Sequence, residues 1–370
     1  MALEGLLIKP IKAHLKKLDW LMIISAVLLT IFGLLSIYSS SLRKGGFLNF
    51  KKQLVFFIVS FILMLAISFF DYRILKNNSY LILILYFLCL LMLAGVYFLA
   101  PEIRGKHGWY KLGILSFDPI EPAKLVLAIL LAKYFSMRHV EMYKFRHIVF
   151  SGIYVLLPCL LIFFQPDMGS VLILLIVWLS ILIISGIKIR HFLILSLCAI
   201  LILGFSWQFL LKDYQKDRVS SFLFPSDPLG SSWSQNQAEI AIGSGQIFGR
   251  GFTKGSQTQY GFLPEPHTDF VFASLAEEFG LIGIFFLFLL YLILIWRIIK
   301  IAVISQSNFA RLFTAGFSVI LISHFFINIG MNLGWLPVIG IYLPFVSYGG
   351  SGLLGNFIGL GILQSIKAKS

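Results

Sequence analysis

Long apolar stretches, separated by short polar connections, occupy most of the 370 residues. Most of the stretches are close to the roughly 20 residues that an α-helix needs to cross a hydrocarbon layer about 30 Å thick. The pattern therefore predicts an all-α polytopic membrane protein. Ten transmembrane helices are predicted, near residues 19–40, 52–70, 79–100, 120–136, 147–164, 169–187, 191–211, 269–296, 309–330 and 343–365.

The distribution of basic residues predicts the orientation. An even number of spans places both termini on the same side of the membrane. If that side is the cytoplasm, a modest majority of the 30 Lys and Arg residues lies there, as the positive-inside rule requires. Four residues count against this arrangement: Arg43, Lys44, Lys51 and Lys52. We expect both termini in the cytoplasm.

Two polar loops interrupt the apolar pattern, and the orientation places both outside the cytoplasm. The first spans residues 101–118. The second, residues 212–267, joins predicted helices 7 and 8, and loops of this length usually carry function or are disordered. Within it, residues 235–242 predict a short amphipathic helix. No repeat or linker divides the chain, so we expect a single membrane domain, residues 1–370, with this large extracytoplasmic loop.

The composition excludes a soluble protein. Hydrophobic residues make up 59% of the chain and charged residues only 12%, with a mean hydropathy of +0.92, whereas a soluble domain carries about 25% charged residues. The net charge of +14 is scattered over many loops, which favours contact with lipid headgroups and not nucleic acid. Cys89, Cys159 and Cys198 lie within apolar runs, and we interpret them as packing residues.

Asp269 is the strongest candidate for chemistry. It lies in the stretch Phe262–Phe270, where the large loop re-enters an apolar segment, and a carboxylate at this boundary is suited to act as a general base on a lipid-borne substrate. The alternative is that Asp269 complements a helix N-terminus, with Thr268 as the N-cap. His267 is a second candidate base.

Glu121 and Lys124 form the second candidate site. Asp118, Pro119 and Glu121 resemble the capped start of a helix, which explains the carboxylates but not the lysine, because a cation in the first turns opposes the helix dipole. Residues three apart share a helix face and can pair. We predict that the pair binds a diphosphate or polarises a reacting group at the outer membrane edge.

Four residues of the two loops are candidates for binding an anionic substrate. Arg104, Lys106 and Trp109 precede the fourth predicted helix, and Arg218 lies in the large loop. Basic and aromatic residues at a membrane interface are also common as simple anchors. The role of Glu277 and Glu278, well inside the eighth predicted helix, stays open between a polar cavity and an outward projection of that helix.

Two further motifs have plainer explanations. Gly349–Gly352 matches the short pattern of intramembrane serine proteases, but no histidine follows His324 to serve as their base. Close packing through small residues explains the glycines better. Gln165–Gly169 fits a turn followed by an N-capped helix.

Seven ordered motifs, which span essentially the whole chain, resemble the SEDS family (shape, elongation, division and sporulation; the RodA and FtsW group). Residues 254–259 and 241–245 are more similar to RodA, the elongation member, than to FtsW. The motifs are Leu18–Trp20 with Ile37–Ser39, Glu121–Lys124, Gln165–Gly169, Asp227–Gly230, Ala241–Gly245, Phe262–Phe272 and Pro344–Ser351.

The resemblance implies a peptidoglycan glycosyltransferase that polymerises lipid II during cell-wall elongation. It implies that Asp269 is catalytic and that Glu121, Lys124 and Ser347 belong to the substrate site. The family usually has an arginine directly before the loop tryptophan, whereas this chain has Gly108. Lys106 or Arg104 would then have to replace it as a phosphate ligand.

The implied reaction transfers the C1 of a MurNAc to the 4-hydroxyl of a GlcNAc, with inversion and with undecaprenyl diphosphate as the leaving group. It needs one base and a stabiliser for the diphosphate. We expect Asp269 as the base and Lys124 as the stabiliser, with a divalent cation, Mg or Mn, as a further candidate stabiliser. No organic cofactor and no metal-ligating residue are assigned.

The resemblance also implies the setting. It places the protein in the bacterial cytoplasmic (inner) membrane with its site facing the periplasm. Its expected partners are a class B penicillin-binding protein, which is a transpeptidase, and other membrane proteins of the elongation complex. Three alternatives remain: a lipid II flippase, an FtsW-type division paralogue, and a scaffold without chemistry, for which Asp269 would be dispensable. A flippase needs a charged path through the bilayer, whereas the candidate residues here cluster at the outer edge.

Overall fold

The computed structural model describes residues 12–44, 46–101, 108–113, 115–138, 145–209, 213–223 and 232–369. It is a helical bundle with one small antiparallel hairpin. The helices are α1 Trp20–Lys44, α2 Leu48–Phe69, α3 Arg73–Asn77, α4 Ser79–Leu99, α5 Ile120–Ser136, α6 Phe145–Phe164, α7 Met168–Ile184, α8 Ile189–Phe209, α9 Asp213–Leu223, α10 Trp233–Gly245, α11 Ser256–Tyr260, α12 Val271–Ile304, α13 Asn308–Asn332 and α14 Gly350–Lys369.

The fold class is confirmed. Within the described ranges, six helices are long and apolar enough to span a membrane, namely α1, α2, α4, α6, α12 and α13. The remaining four predicted segments coincide with α5, α7, α8 and α14. The number of ten spans itself stays a prediction.

Among the described residues, the hairpin is the only β-sheet. Strands β1 (Tyr110–Leu112) and β2 (Leu115–Phe117) lie in the first predicted loop, with Tyr110 opposite Phe117. The Tyr110 hydroxyl donates to the carbonyl of Met92 at 2.6 Å, which anchors the hairpin on α4. Trp109 therefore lies directly before β1, and the hairpin leads into α5.

Helices α5 and α13 form the centre of the bundle. Residues 123–132 of α5 are all buried, as expected for a helix that is apolar on every face. The same core takes in buried side chains of α1, α12 and α14, such as Leu29, Leu287 and Phe357. Large apolar side chains on the outer faces of α2, α4 and α6 are exposed, for example Ile62, Leu91 and Phe150. This is the expected arrangement in lipid, where outward apolar surface carries no cost.

The large loop is not structureless. It contains α9, α10 and α11, and the helix predicted at residues 235–242 is confirmed as the longer α10. Ala238 and Ala241 of α10 are fully buried in a small cluster with Leu263 and Phe270. The motif Asp227–Gly230 lies outside the described residues.

Helix α12 is broken at Gly280, where φ is 63° and ψ is −165°. The loop segment 246–251 fills the break. Arg250 N and Gly251 N donate to the carbonyls of Glu277 and Glu278, at 2.9 and 3.1 Å. On the other side, Leu281 N donates to Gln246 O at 2.9 Å. The loop thus satisfies backbone groups that the break would leave unpaired, as lipid requires.

The last predicted span begins later than expected. The sequence predicts helix from residue 343, but residues 339–349 are non-helical and α14 begins at Gly350. Buried side chains satisfy this segment: Tyr291 donates to the carbonyl of Pro344, and Gln53 bonds to Ser347 O and Gly349 N at 3.3 and 3.2 Å. Irregular backbone survives at this depth only where protein surrounds it.

Candidate active site

Asp269 lies half-buried in the turn directly before α12. Its Oδ2 faces the 339–349 segment, because a Cβ placed on Gly340 would lie 3.7 Å from it. Gly340 has a φ of 73°, a conformation that glycine adopts without strain. The carboxylate therefore lies between the end of the large loop and a closely approaching glycine turn.

Two asparagines of α13 position Asp269, and the sequence reading missed both. The Nδ2 atoms of Asn328 and Asn332 each donate to the carbonyl of Asp269 at 3.0 Å. Asn332 Oδ1 also accepts from Ala273 N at 3.2 Å. Both side chains are fully buried. Two amides four apart in an apolar helix share a face, and this is the signal that would have found them.

Thr268, the N-cap in the alternative interpretation of Asp269, does not cap α12. The helix begins at Val271, and its N-cap residue, Phe270, makes no side-chain bond. The Thr268 hydroxyl instead donates to Glu265 O at 3.4 Å. Asn332 of α13 supplies a capping oxygen to Ala273 N in the first turn of α12.

Ser347 and His267 connect the 339–349 segment to the Asp269 turn. The Ser347 hydroxyl donates to Thr268 O at 2.6 Å and accepts from Leu343 N at 2.8 Å. Tyr348 N donates to the carbonyl of His267 at 2.7 Å, and the two rings lie 5.6 Å apart. Ser347 and His267 are buried, at 4% and 8% exposure, so their observed contacts position the turn.

Glu121 and Lys124 pair as predicted. Lys124 Nζ lies 2.7 Å from Glu121 Oε1 at the start of α5, and the side chains are 2% and 11% exposed. The Tyr342 hydroxyl donates to the second carboxylate oxygen, Oε2, at 2.7 Å. Glu121 is therefore held from two sides, and Lys124 lies beneath it.

His324 completes this network from α13. Its Nδ1 lies 3.2 Å from the carbonyl of Tyr342, and its Nε2 lies 3.1 Å from Lys124 Nζ. A carbonyl only accepts, so Nδ1 carries the proton and Nε2 accepts from the ammonium. The arrangement thus assigns a neutral histidine beside a charged lysine.

Tyr342 is a fixed hydrogen-bond donor. Burial, and then the nearby Glu121 carboxylate, hold the pKa of Tyr342 well above its usual range. Only two chain positions separate Tyr342 from Gly340, which spans roughly 7 Å at most. The Glu121 network and the Asp269 carboxylate therefore both adjoin the 340–342 stretch.

The remaining predicted residues are placed as follows. Asp118 Oδ1 accepts from Ile120 N at 2.9 Å, the bond expected of a capping aspartate. Trp109 is half-buried and has bonded or ring contacts. Arg104 and Lys106 lie outside the described residues, and Arg218 lies on α9 with its side chain outside the described set.

Glu277 and Glu278 hold the large loop on α12. The buried Glu277 accepts from Gln257 N at 2.7 Å and from the Thr258 hydroxyl at 2.9 Å. Glu278 accepts from the Ser39 hydroxyl of α1, and Gln259 Nε2 donates to the same Ser39 oxygen at 2.8 Å. Both carboxylates are therefore buried, Glu277 against the large loop and Glu278 against α1.

These bonds join motifs that are far apart in the sequence. Ser39 belongs to Ile37–Ser39, Thr258 and Gln259 to Lys254–Gln259, and the glycines of the loop pack beside them. A Cβ on Gly245 would lie 1.9 Å from the carbonyl of Ala276. The loop glycines are thus required for close approach to α12.

The structure agrees with the plainer explanations of Gly349–Gly352 and Gln165–Gly169, which are close packing and helix capping. A Cβ on Gly352 would lie 2.8 Å from the Tyr342 ring, which confirms close packing. Ser351 is buried, and its hydroxyl accepts from Asp118 N at 2.8 Å. In the Gln165–Gly169 motif, Asp167 Oδ1 caps α7 by accepting from Ser170 N at 3.0 Å.

Of the three cysteines, Cys89 and Cys159 are buried, whereas Cys198 is exposed on α8.

Comparison with known proteins decides the family. The family model for FtsW, RodA and SpoVE, described as cell cycle protein, matches residues 19–370. The chain belongs to the FtsW/RodA/SpoVE family. Among its curated relatives, the peptidoglycan glycosyltransferase MrdB of Escherichia coli K12 is 40% identical over 286 residues, which cover 76% of each chain. Stage V sporulation protein E of Bacillus subtilis is 33% identical and covers 95% of this chain and 97% of its own.

Solved structures share the fold of this chain. A chain from a peptidoglycan synthase complex, described for coordination of polymerisation and crosslinking, superposes with a TM-score of 0.80 at 30% identity, and the match covers 95% and 98% of the two chains. The rod shape determining protein RodA of Thermus thermophilus gives a TM-score of 0.69 at 27% identity, with 95% and 96% covered. Both matches extend over nearly the whole membrane domain.

Proposed function

We propose that this protein is a peptidoglycan glycosyltransferase of cell-wall elongation, as its relative MrdB is named. The observation that carries the proposal is the half-buried Asp269 carboxylate, whose turn is bonded to α13 and to the 339–349 segment. A base held this rigidly beside a loop at the membrane edge suits a reaction between lipid-linked sugars.

Asp269 acts as the general base in this proposal. It takes the proton from the 4-hydroxyl of a GlcNAc as that oxygen attacks the C1 of a MurNAc. The bond from C1 to the diphosphate breaks, and undecaprenyl diphosphate leaves from the opposite face. One in-line displacement inverts the configuration at C1, so no nucleophilic side chain is required.

Glu121 is the member of the second network that faces the substrate, because it is the more exposed of the pair. Lys124 is almost completely buried and bonded to Glu121 and His324. We therefore assign Lys124 to keep Glu121 charged and oriented. Direct contact of Lys124 with the diphosphate would require the network to rearrange, so Arg104, Lys106, Trp109 and Arg218 stay the proposed diphosphate ligands.

A divalent cation is placed on the substrate in this proposal. Over the part of the chain that the structure describes, no three His, Cys, Asp or Glu side chains form a metal-binding cluster. Mg or Mn would instead accompany the substrate diphosphate, and dependence on the added cation tests this point.

The proposed setting is the bacterial cytoplasmic membrane, with both termini in the cytoplasm and the Asp269 end facing the periplasm. A class B penicillin-binding protein is the proposed partner, since a structural relative comes from a complex that coordinates polymerisation and crosslinking. A flippase is disfavoured by the two candidate networks, which adjoin the same stretch at one end of the bundle.

Polymerisation by purified protein tests the function. The protein is incubated with lipid II and its penicillin-binding partner, and glycan strands are resolved by gel. We expect polymer from the wild type and a loss of about 10²–10⁴-fold in Asp269→Asn, which keeps the side-chain volume and removes the base. Asp217→Asn on α9, an exposed acid of the same loop, is the matched control. Wild-type yield from folded Asp269→Asn would refute the assignment of the base.

A further inference from the structure

Segment 246–251 of the large loop runs along α12 and then turns back. Its path is traced by contacts at successive positions of the loop, namely Gly245 with Ala276, Ile247 with Ile282 and Arg250 with Glu277. The bond from Ile282 N to Ile247 O is 3.2 Å long. The loop is therefore farthest along α12 at Ile247 and has returned by Arg250, so the segment is a re-entrant turn beside the helix.

The unbroken part of α12 gives the depth of this turn. Residues 279–296 carry no charge, and Arg297 ends the run. Trp296 is exposed, and tryptophan beside a basic residue marks an edge of the hydrocarbon layer. Ile282 precedes Trp296 by 14 residues of continuous helix, a distance of roughly 21 Å. A layer about 30 Å thick therefore extends roughly 9 Å beyond Ile282, and any tilt of the helix increases this margin.

The tip of the turn is apolar and exposed. Ile247 and Phe248 are 57% and 80% exposed. Leu281 of α12, whose N–H donates to Gln246 O at 2.9 Å, is 66% exposed, and one turn further Phe285 is exposed as well. The two loop side chains thus continue the exposed apolar face of α12 at the same depth.

Charged residues begin where the turn comes back. Residues 240–249 carry no charge, whereas Arg250 and Lys254, which follow, are exposed cations. Arg250 N is bonded to the carbonyl of Glu277, which lies roughly 28 Å from Trp296 along α12. This position is close to the second edge of the hydrocarbon layer, where long basic side chains reach the headgroups. An apolar tip followed by a basic return is the order expected of a segment that dips into lipid.

The backbone of the turn is suited to this depth. Irregular backbone persists within a membrane only where protein satisfies its polar groups. Gly249 N donates to Gly245 O at 2.8 Å, and the bonds to α12 described above hold both arms of the turn. Gly249 has a φ of 80°, and a Cβ there would lie 2.2 Å from the carbonyl of Glu278. Glycine is therefore required for the turn to lie against the helix.

We propose that segment 246–251 is a membrane anchor, with Ile247 and Phe248 in contact with the acyl chains of the leaflet on the Asp269 side. Because the segment fills the break in α12, the anchor fixes residues 271–279, which directly follow the Asp269 turn. A second copy of this chain is the competing occupant of the tip. We commit to lipid, because the tip lies within the hydrocarbon layer and continues the outer face of α12. The proposal does not depend on the glycosyltransferase function.

Spin labelling of the full-length protein tests the contact. A nitroxide is attached to Phe248→Cys in protein that carries Cys198→Ala, since Cys198 is the exposed native cysteine. The protein is reconstituted in vesicles of phosphatidylethanolamine and phosphatidylglycerol. Collisions of the label with oxygen, which concentrates in hydrocarbon, are compared with collisions with a water-soluble nickel chelate. Labels at Phe285→Cys on α12 and at Asp217→Cys on the charged helix α9 are the references for lipid and for water.

The label at position 248 should resemble the label at position 285, with more oxygen collisions than nickel collisions. The label at position 217 should show the reverse. A nickel-dominated result at position 248 would place the tip in water. Few collisions with either reagent would show that protein, such as a second copy, covers the tip. Either result overturns the proposal, and neither measurement requires polymerase activity.

Hydrogen exchange in the same vesicles measures what the anchor does. Phe248→Ser removes the larger apolar side chain of the tip. The backbone amides of residues 246–251 should then exchange roughly tenfold faster, from the low end of the free energy of burying one phenylalanine. The control is Phe285→Ser, which removes the same side chain from the face of α12 outside the loop and should leave these amides unchanged. Unchanged exchange in Phe248→Ser, or equal acceleration in both variants, would show that the tip does not anchor the loop.

Discussion

The two ends of the bundle each bury an acid–base pair, and the two pairs are built differently. Glu121 and Lys124 are neighbours on one helix, and Tyr342 and His324 adjoin them. Asp19 and Arg297 come from different helices and bond through two guanidinium nitrogens. The first pair leaves a carboxylate at the site edge, whereas the second closes a junction between α1 and α12.

The difference suggests a division of roles. Breaking a buried pair leaves an uncompensated charge, whatever the pair does. At the Asp269 end, however, the charges also adjoin a proposed substrate, so their loss should affect the rate first. At the opposite end they join helices, so their loss should affect stability first. Four further predictions test this division, from the largest expected effect to the smallest.

Lys124→Met should lower polymerisation by roughly 10²–10³-fold, the range for loss of one buried electrostatic contact in an active site. Protein abundance should stay near wild type, because Tyr342 still donates to Glu121. Glu121→Gln should also lower activity, and the double variant should be no worse than the poorer single one, since the two residues act as a unit. Full activity of folded Lys124→Met would show that the pair serves only to start α5 and does not serve the substrate.

Asp19→Asn should destabilise the protein by about 3 kcal/mol, the low end for a broken buried pair, because Arg297 is 20% exposed. Asparagine keeps an oxygen for Met22 N, which Asp19 caps at 3.1 Å. Thermal unfolding in detergent measures the change, and activity per folded molecule should stay the same. Asp71→Asn is the control, since its pair with Lys369 is exposed and 3.7 Å long and is worth about 0–1 kcal/mol.

The same contrast explains which of the two buried pairs can be predicted from the sequence. Glu121 and Lys124 are three residues apart, so helical periodicity alone places them together. Asp19 and Arg297 are far apart along the chain, and no periodic pattern connects them. The Asp269 candidate came from its place at a loop boundary, but Asn328 and Asn332 looked like ordinary polar residues in an apolar helix. Their role depends on how α13 packs.

The fold shows the same contrast between features set by local sequence and features set by distant partners. Hydropathy predicts helices because each apolar segment must satisfy its own backbone in lipid. It does not predict the break at Gly280 or the start of α14 at Gly350, because there the partners come from elsewhere in the chain. Segment 246–251 serves the first position, and Gln53 and Tyr291 serve the second. Hydropathy averaged along the chain registers only that the stretches around Gly280 and Gly350 are mostly apolar.

Asn332→Ala tests whether polar groups at the Asp269 end affect the rate of polymerisation. It removes one bond to the Asp269 carbonyl and the cap on Ala273 N, which should shift the carboxylate by a fraction of an ångström. A shift of this kind should cost roughly 10- to 100-fold in kcat with little change in KM. Single-turnover polymerisation measures it. Gln165→Ala is the control. It removes another buried amide, which donates to Leu93 O at 2.8 Å, and it should leave kcat unchanged.

Tyr342→Phe should give the smallest effect, a loss of activity of about tenfold, the low end for one hydrogen bond to a charged group. The ring stays to pack on Gly352 and beside Lys124, and Lys124 still holds Glu121. Because burial and Glu121 raise the pKa of Tyr342, its hydroxyl keeps its proton at neutral and mildly alkaline pH. The ratio of wild-type to variant activity should therefore stay constant from about pH 6 to pH 9, where even an ordinary tyrosine is mainly protonated. A ratio that falls toward one as pH rises would show that the hydroxyl ionises in that range, and it would contradict the fixed donor that we assign to this network.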